Sequence, residues 1–216
     1  VCMTAPPDGT LLGGGISDYV IGGSASDESS WVTEVEVNIP GAGWVDAENI
    51  SPWAYTWELP ADGNYTLQAR AYDYLGRVGS SNSVNVTIDN TAPEVTLDLE
   101  DGAVVSGESG KVITVTLTGG ATDNLSGLTR VQLSIDDRPW REVWAEGAAP
   151  LSAAWTKEWT LPNEESAQGE HSVEVRALDR AGNESAILHR TIIVDVVPPT
   201  SELTDRTYLQ DPPPHF

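Results

Sequence analysis

The chain has 216 residues and a formal charge of −22, from 33 acidic and 11 basic side chains. Such a surface repels phosphate, which argues against nucleic acid and anionic membrane as partners and makes cations its natural counterpart. With 39 % hydrophobic residues the chain can build packed cores, which argues against wholesale disorder; the lone Cys2 forms no internal bridge, and no apolar run reaches membrane-spanning length.

The chain opens on Val1 rather than Met, as expected of a piece of something longer, and Cys2 reads as an ordinary strand residue. From there most segments alternate with period two, the pattern of half-buried strands. Ile21, Gly23 and Ala25 mark one strand; Val35, Val37 and Ile39 mark the next, and a turn rich in glycine leads to Trp44. Trp53 and Trp57 share one face of the following strand. Tyr65 then opens a long run through Leu67, Ala69 and Ala71 to Asp73, and a closing strand ends at Asp89. Gly, Pro, Asn, Asp and Ser fill the intervals, as turns require, and no stretch reads as a helix.

After "DNTAPEV" (89 to 95) the pattern begins again. "SASDESSWVTEVEVN" (24 to 38) aligns with "GATDNLSGLTRVQLS" (120 to 134) without a gap, and Trp44 falls on Trp140. "WAYTWELP" (53 to 60) matches "WTKEWTLP" (155 to 162), and "GNYTLQARAYDYLGR" (63 to 77) matches "GEHSVEVRALDRAGN" (169 to 183). The closing strands place Asp89 on Asp195, and Asp8-Gly9 falls on Asp101-Gly102. Six or seven short strands in about 100 residues, found twice, predict an all-β chain of two tandem Greek-key β-sandwiches. Their expected limits are 1–90 and 91–197, with 198–216 the start of a following module or an extended tail. Tyr65 holds the place of a tyrosine corner, and His171 replaces it in the second copy, which makes this histidine structural rather than catalytic.

The segments "SASDESSWVTEVEV", "YTWELPADGNYTLQARAYD", "VRALDRAGNES" and "VTIDNTAP" resemble bacterial immunoglobulin-like repeats, relatives of the fibronectin type III sandwich, over about residues 1 to 199. The resemblance implies modules strung in tandem on secreted or surface-anchored proteins, as stalks, adhesin shafts or spacers beside enzymatic domains. Neighbouring modules of the same chain are then the first expected partners, with a surface glycan or protein ligand as a further one.

The acids are informative because of where such a sandwich puts them. The loop after the second strand, the loop before the last strand and the incoming linker share one pole. Asp123 ends the second strand of module two, Asp179 ends its penultimate strand, and Asp89 and Asn90 lie in the entering linker. Clustered carboxylates repel unless a cation or proton neutralises them. Asp, Asn and backbone carbonyls suit Ca²⁺, which would stiffen the hinge. Asp27 and Asp73 hold the same roles for a preceding junction, and Asp195 for a following one. The competing reading is turn chemistry alone, since Asp at a strand end accepts local backbone hydrogen bonds.

Trp31 and Trp144 have no counterpart in the other copy, so they are the indoles expected to be exposed and to stack on a glycan. No nucleophile motif, metalloprotease pattern or phosphate loop surrounds His171, His189 or His215, and no enzyme activity is expected. Five N-x-S/T sequons start at Asn49, Asn64, Asn85, Asn124 and Asn183.

Overall fold

A computed structural model describes residues 1–107, 111–145, 147–161 and 167–197; the expected third-module start at 198–216, including His215, lies outside these. In chain order module one contains β1 (Cys2–Ala5), β2 (Thr10–Gly13), β3 (Asp18–Ser24), β4 (Val32–Ile39), β5 (Gly43–Asp46), β6 (Trp53–Glu58), β7 (Gly63–Asp73), β8 (Val78–Ser80) and β9 (Val84–Asp89). Module two contains β10 (Glu94–Val95), β11 (Ala103–Ser106), β12 (Ile113–Thr122), β13 (Leu128–Ile135), β14 (Arg141–Ala145), β15 (Ser152–Leu161), β16 (Gly169–Asp179) and β17 (Leu188–Asp195). Each module is two facing sheets. In module one the sheets are β1-β3-β6 and β2-β9-β7-β4-β5, with β8 on β7; in module two they are β10-β12-β15 and β11-β17-β16-β13-β14.

The first strand of each module is divided between its sheets. β1 runs antiparallel to β3, and after a crossing β2 runs parallel to β9. β10 and β11 do the same against β12 and β17. An aspartate–glycine pair fixes both crossings. Gly9 donates its N–H to the Asn85 carbonyl at 2.8 Å while Asn85 donates its own to Asp8 at 2.7 Å. Gly102, Thr191 and Asp101 repeat this at 2.8 and 2.7 Å.

Alternation along the strands builds the cores. Ile21, Val35, Val37, Trp53, Trp57, Leu67 and Ala69 are buried in module one; Leu117, Val131, Leu133, Trp155, Trp159, Val173 and Val175 are their equivalents. Each large apolar side chain removed from water contributes about 1.5–3 kcal/mol. One close approach requires glycine in both modules. A Cβ on Gly23 would stand 2.0 Å from the Cys2 carbonyl oxygen and 2.6 Å from the Trp53 ring. At Gly119 the same clash arises with the Thr96 oxygen at 2.1 Å and the Trp155 ring at 2.6 Å. The missing side chain lets the indole and the first strand close on the sheet together.

Tyr65 donates to the Ala61 carbonyl at 2.6 Å and meets Trp57 edge-on, with ring centroids 6.0 Å apart. His171 reproduces this, with Nε2 3.0 Å from the Ala167 carbonyl and its ring 5.2 Å from Trp159. Its Nδ1 also lies 2.9 Å from Asp136. Burial opposes a charged ring here, but the bonds to Ala167 and Asp136 outweigh it and hold the His171 pKa above its ordinary value.

Candidate metal centre at the module junction

The four residues Asn90 to Pro93 join β9 to β10, so the second module begins almost where the first ends. Asp89, the last residue of β9, is fully buried, and Asp123 and Asp179 are 8 % and 3 % exposed. One carboxylate oxygen from each of the three lies within 4.8 Å of the others. Two oxygens held by one Ca²⁺ at 2.3–2.6 Å are at most about 5 Å apart, so the spacing fits a shared ion. Among the described residues no Lys, Arg or His lies within ion-pair distance of these carboxylates.

Local bonds account for most of the oxygens. Asp123 Oδ2 accepts the backbone N–H groups of Leu125 at 3.0 Å and Gly127 at 2.7 Å, the turn chemistry that its sequence context offers. Asp89 reaches across the junction to accept the Ser126 N–H at 2.9 Å, and it accepts the Thr91 N–H at 3.2 Å. Asp179 accepts the Asn183 N–H and side-chain amide, each at 2.8 Å. One atom is left over. Asp123 Oδ1 is buried and has no hydrogen-bond partner. An unpaired carboxylate oxygen among buried anions is costly, and coordination to a hard cation would satisfy it. Burial pushes the Asp179 carboxyl above its ordinary range against the pull of its Asn183 bonds, and the adjacent Asp89 charge adds to the rise.

The sequence reading missed Asn183, which is central here. Its side-chain amide donates to the Asp89 carbonyl at 2.8 Å, and its Oδ1 accepts the Gly14 N–H of module one at 2.9 Å. Only its alignment opposite Arg77 marked it out, and its sequon pointed elsewhere; buried and bonded on both sides, it offers no room for a glycan. Gly13 admits the contact: a Cβ there would stand 2.0 Å from the Asp89 oxygen and 2.8 Å from Ala181 Cβ. Asp62 was also missed. It holds the linker from the module-one side, accepting the Asn90 N–H at 2.8 Å and the Thr91 hydroxyl at 2.5 Å. The Thr91 hydroxyl, followed by the Asn90 groups, keeps its pKa below the usual carboxylate range.

The sequence places Asn90 in the carboxylate cluster; in the structure it is instead exposed and turned to Asp62, and the amide beside the carboxylates is that of Asn183. Asp27 and Asp73 do share the matching pole of module one. Asp27 is exposed and accepts from Ser29 and Ser30, while Asp73 accepts from Leu75 and Arg77. Arg77 stands where Asn183 stands in module two, 3.9 Å from Asp73, so that pole carries its own cation. Asp195 is exposed and bonded to Gln168 and the Val197 N–H. Trp31 is 59 % exposed and packs tilted against Tyr74, with centroids 4.4 Å apart. Trp144 departs from expectation: it is half-buried against the core of module two, because β14 turns that indole toward the sandwich.

Fold and junction define a pair of tandem immunoglobulin-like sandwiches joined by a bonded linker. The family model described as Bacterial Ig domain matches residues 1–69 and 93–175, and the chain belongs to that family. No curated protein matches by sequence. Among solved structures it is similar to the fibronectin(III)-like modules of Clostridium thermocellum CbhA, at 22 % identity and TM-score 0.49, over 89 % of this chain and 92 % of that one. It is also similar to the D00-D0 domain of intimin, at 15 % identity and TM-score 0.39, over 90 % and 98 %. A third likeness is to the sialic acid binding region of a Streptococcus sanguinis SK1 adhesin, at 14 % identity and TM-score 0.31, over 89 % and 77 %.

Proposed function

We propose that this chain is a non-catalytic spacer from an extracellular cell-surface protein, and that its two modules are locked end to end by a Ca²⁺ ion at the junction. Asp89, Asp123 and Asp179 supply one oxygen each, Asn183 orients Asp179, and neighbouring modules of the same protein extend the rod. The observation that carries the reading is the partnerless, buried Asp123 Oδ1 beside two other buried carboxylates. An ion there replaces repulsion by attraction between the linker and two loops of module two, which removes the freedom of the hinge. Small-angle scattering and thermal melting, each in CaCl₂ and in chelator, test it. A stiff, extended pair that loosens and melts earlier in chelator supports the proposal; identical profiles refute it.

A second reading, a glycan- or protein-binding accessory module of a secreted enzyme, is favoured by one feature. Trp31, Tyr74 and Leu75 lie exposed together at the pole of module one that carries Asp27 and Asp73. Retention on insoluble glycans that is lost in Trp31→Ala would support it; equal retention of parent and variant would dismiss it.

A further inference from the structure

The repeat makes a position-by-position comparison of the modules possible, and at one edge they differ sharply. In module one Val45 on β5 and Tyr55 on β6 face inward from opposite sheets and pack against the core, and Ala42 lies in the turn before β5. Strand register sets Val45 opposite Val37 and its equivalent, Arg141, opposite Leu133. The residues at the three positions in module two are Arg138, Arg141 and Lys157. Lys157 lies between Trp155 and Trp159 on the inward-facing register of β15, and Arg141 shares the face of Val143 on β14.

Where module one closes, module two opens. A groove of ≈ 330 Å³ runs along this edge with Leu133, Val143 and Trp159 beneath it and Arg138, Arg141 and Lys157 around it. In a chain with 33 acidic side chains, none of the three cations has a carboxylate within ion-pair distance among the described residues. The groove is also flanked by two strand edges. β14 and β15 are each the last strand of their sheet, so their outer backbone groups have no strand partner among the described residues. A single inward charge on an edge strand is a known guard against self-pairing. That accounts for Lys157, but not for three cations converging from two strands and a turn.

We propose that this groove binds an acidic peptide segment in extended conformation, which adds to the β15 edge and places alternate carboxylates on Arg138, Arg141 and Lys157. The free edge supplies backbone hydrogen bonds, the apolar floor receives the intervening side chains, and the cations select for acid. A charged saccharide fits less well, because Trp159 is only 8 % exposed and offers no ring face for stacking.

The test uses fluorescence anisotropy with a labelled alternating Glu-Val octapeptide and the whole chain. The comparison variant is Arg138→Ala, Arg141→Val and Lys157→Tyr together. Module one carries these same residues at these positions, so the fold accommodates them, and the melting midpoint verifies that. The triple variant should bind roughly tenfold more weakly or worse, and raised salt should weaken the parent. A Gln-Val peptide and an alternately N-methylated Glu-Val peptide should both lose binding, the first for lack of charge and the second for lack of edge hydrogen bonds. Undiminished binding of the triple variant, equal affinity for Gln-Val, or retention of the N-methylated peptide each overturns the proposal. Binding of oligogalacturonate without binding of the peptide would overturn it in favour of a saccharide site.

Discussion

The substitution Asp123→Asn separates an ion-holding junction from one held by turn chemistry alone. Asp123 Oδ2 takes two backbone N–H groups, and a carboxamide oxygen can keep both. The partnerless Oδ1 becomes an NH₂ that can donate toward Asp89 and Asp179. Two charges no more than 4.8 Å apart repel by ~3.5 kcal/mol or more at an effective dielectric of about 20, before water and protons relax the site and reduce it. In chelator the variant should therefore be the more stable protein, by about 2 kcal/mol, or roughly 10 °C for a module of this size. In Ca²⁺ the order reverses. An extracellular-type site with a Kd of ~10⁻⁴ M gains ~2.7 kcal/mol at about 10 mM ion, and the parent alone should show this gain. Calorimetry of both proteins with Ca²⁺ and with EGTA reads all four midpoints. A variant that is less stable in chelator, or that keeps the full Ca²⁺ response, rules out an ion held by Asp123.

Three other outcomes follow from the geometry. The raised pKa of His171 means that its charged form stabilises module two below the unfolded value of 6.5, and that this stability is lost as pH rises through the higher folded value. His171→Tyr, the residue of module one, should flatten that decline in urea titrations across neutral pH; a parallel decline would show that another group is responsible. Gly13→Ala forces a methyl against the Asp89 carbonyl and Ala181, so the single melt of a coupled pair should split into two, with each module still folded by circular dichroism. Gly119→Ala should destabilise module two by about 3 kcal/mol, near the upper end for overpacking, because one of the clashing atoms is backbone; an unchanged urea midpoint would show that β10 simply moves aside.

The two sandwiches and the residues that fill their cores were legible in the sequence. Period-two alternation states which face of each strand is buried, and the repeat states it twice, from Ile21 and Leu117 to Leu67 and Val173. It also brought Asp89, Asp123 and Asp179 to one pole, because in this fold loop position follows from strand order. Asn183 was not legible as a junction residue: its role depends on the Gly14 N–H and the Asp89 carbonyl, both far away in the chain and close only after the modules dock. Asn90 looked like a ligand from its neighbour in sequence, yet Asp62 captures it from the other side of the linker. The groove in module two was hidden for the same reason. Arg141 and Lys157 are unremarkable in their own strands, and only the packing of two sheets brings them to one edge. Alternation is a local property that a strand carries with it; where two strand ends, a linker and a glycine meet is set by the docking of whole modules, which joins groups far apart in the chain.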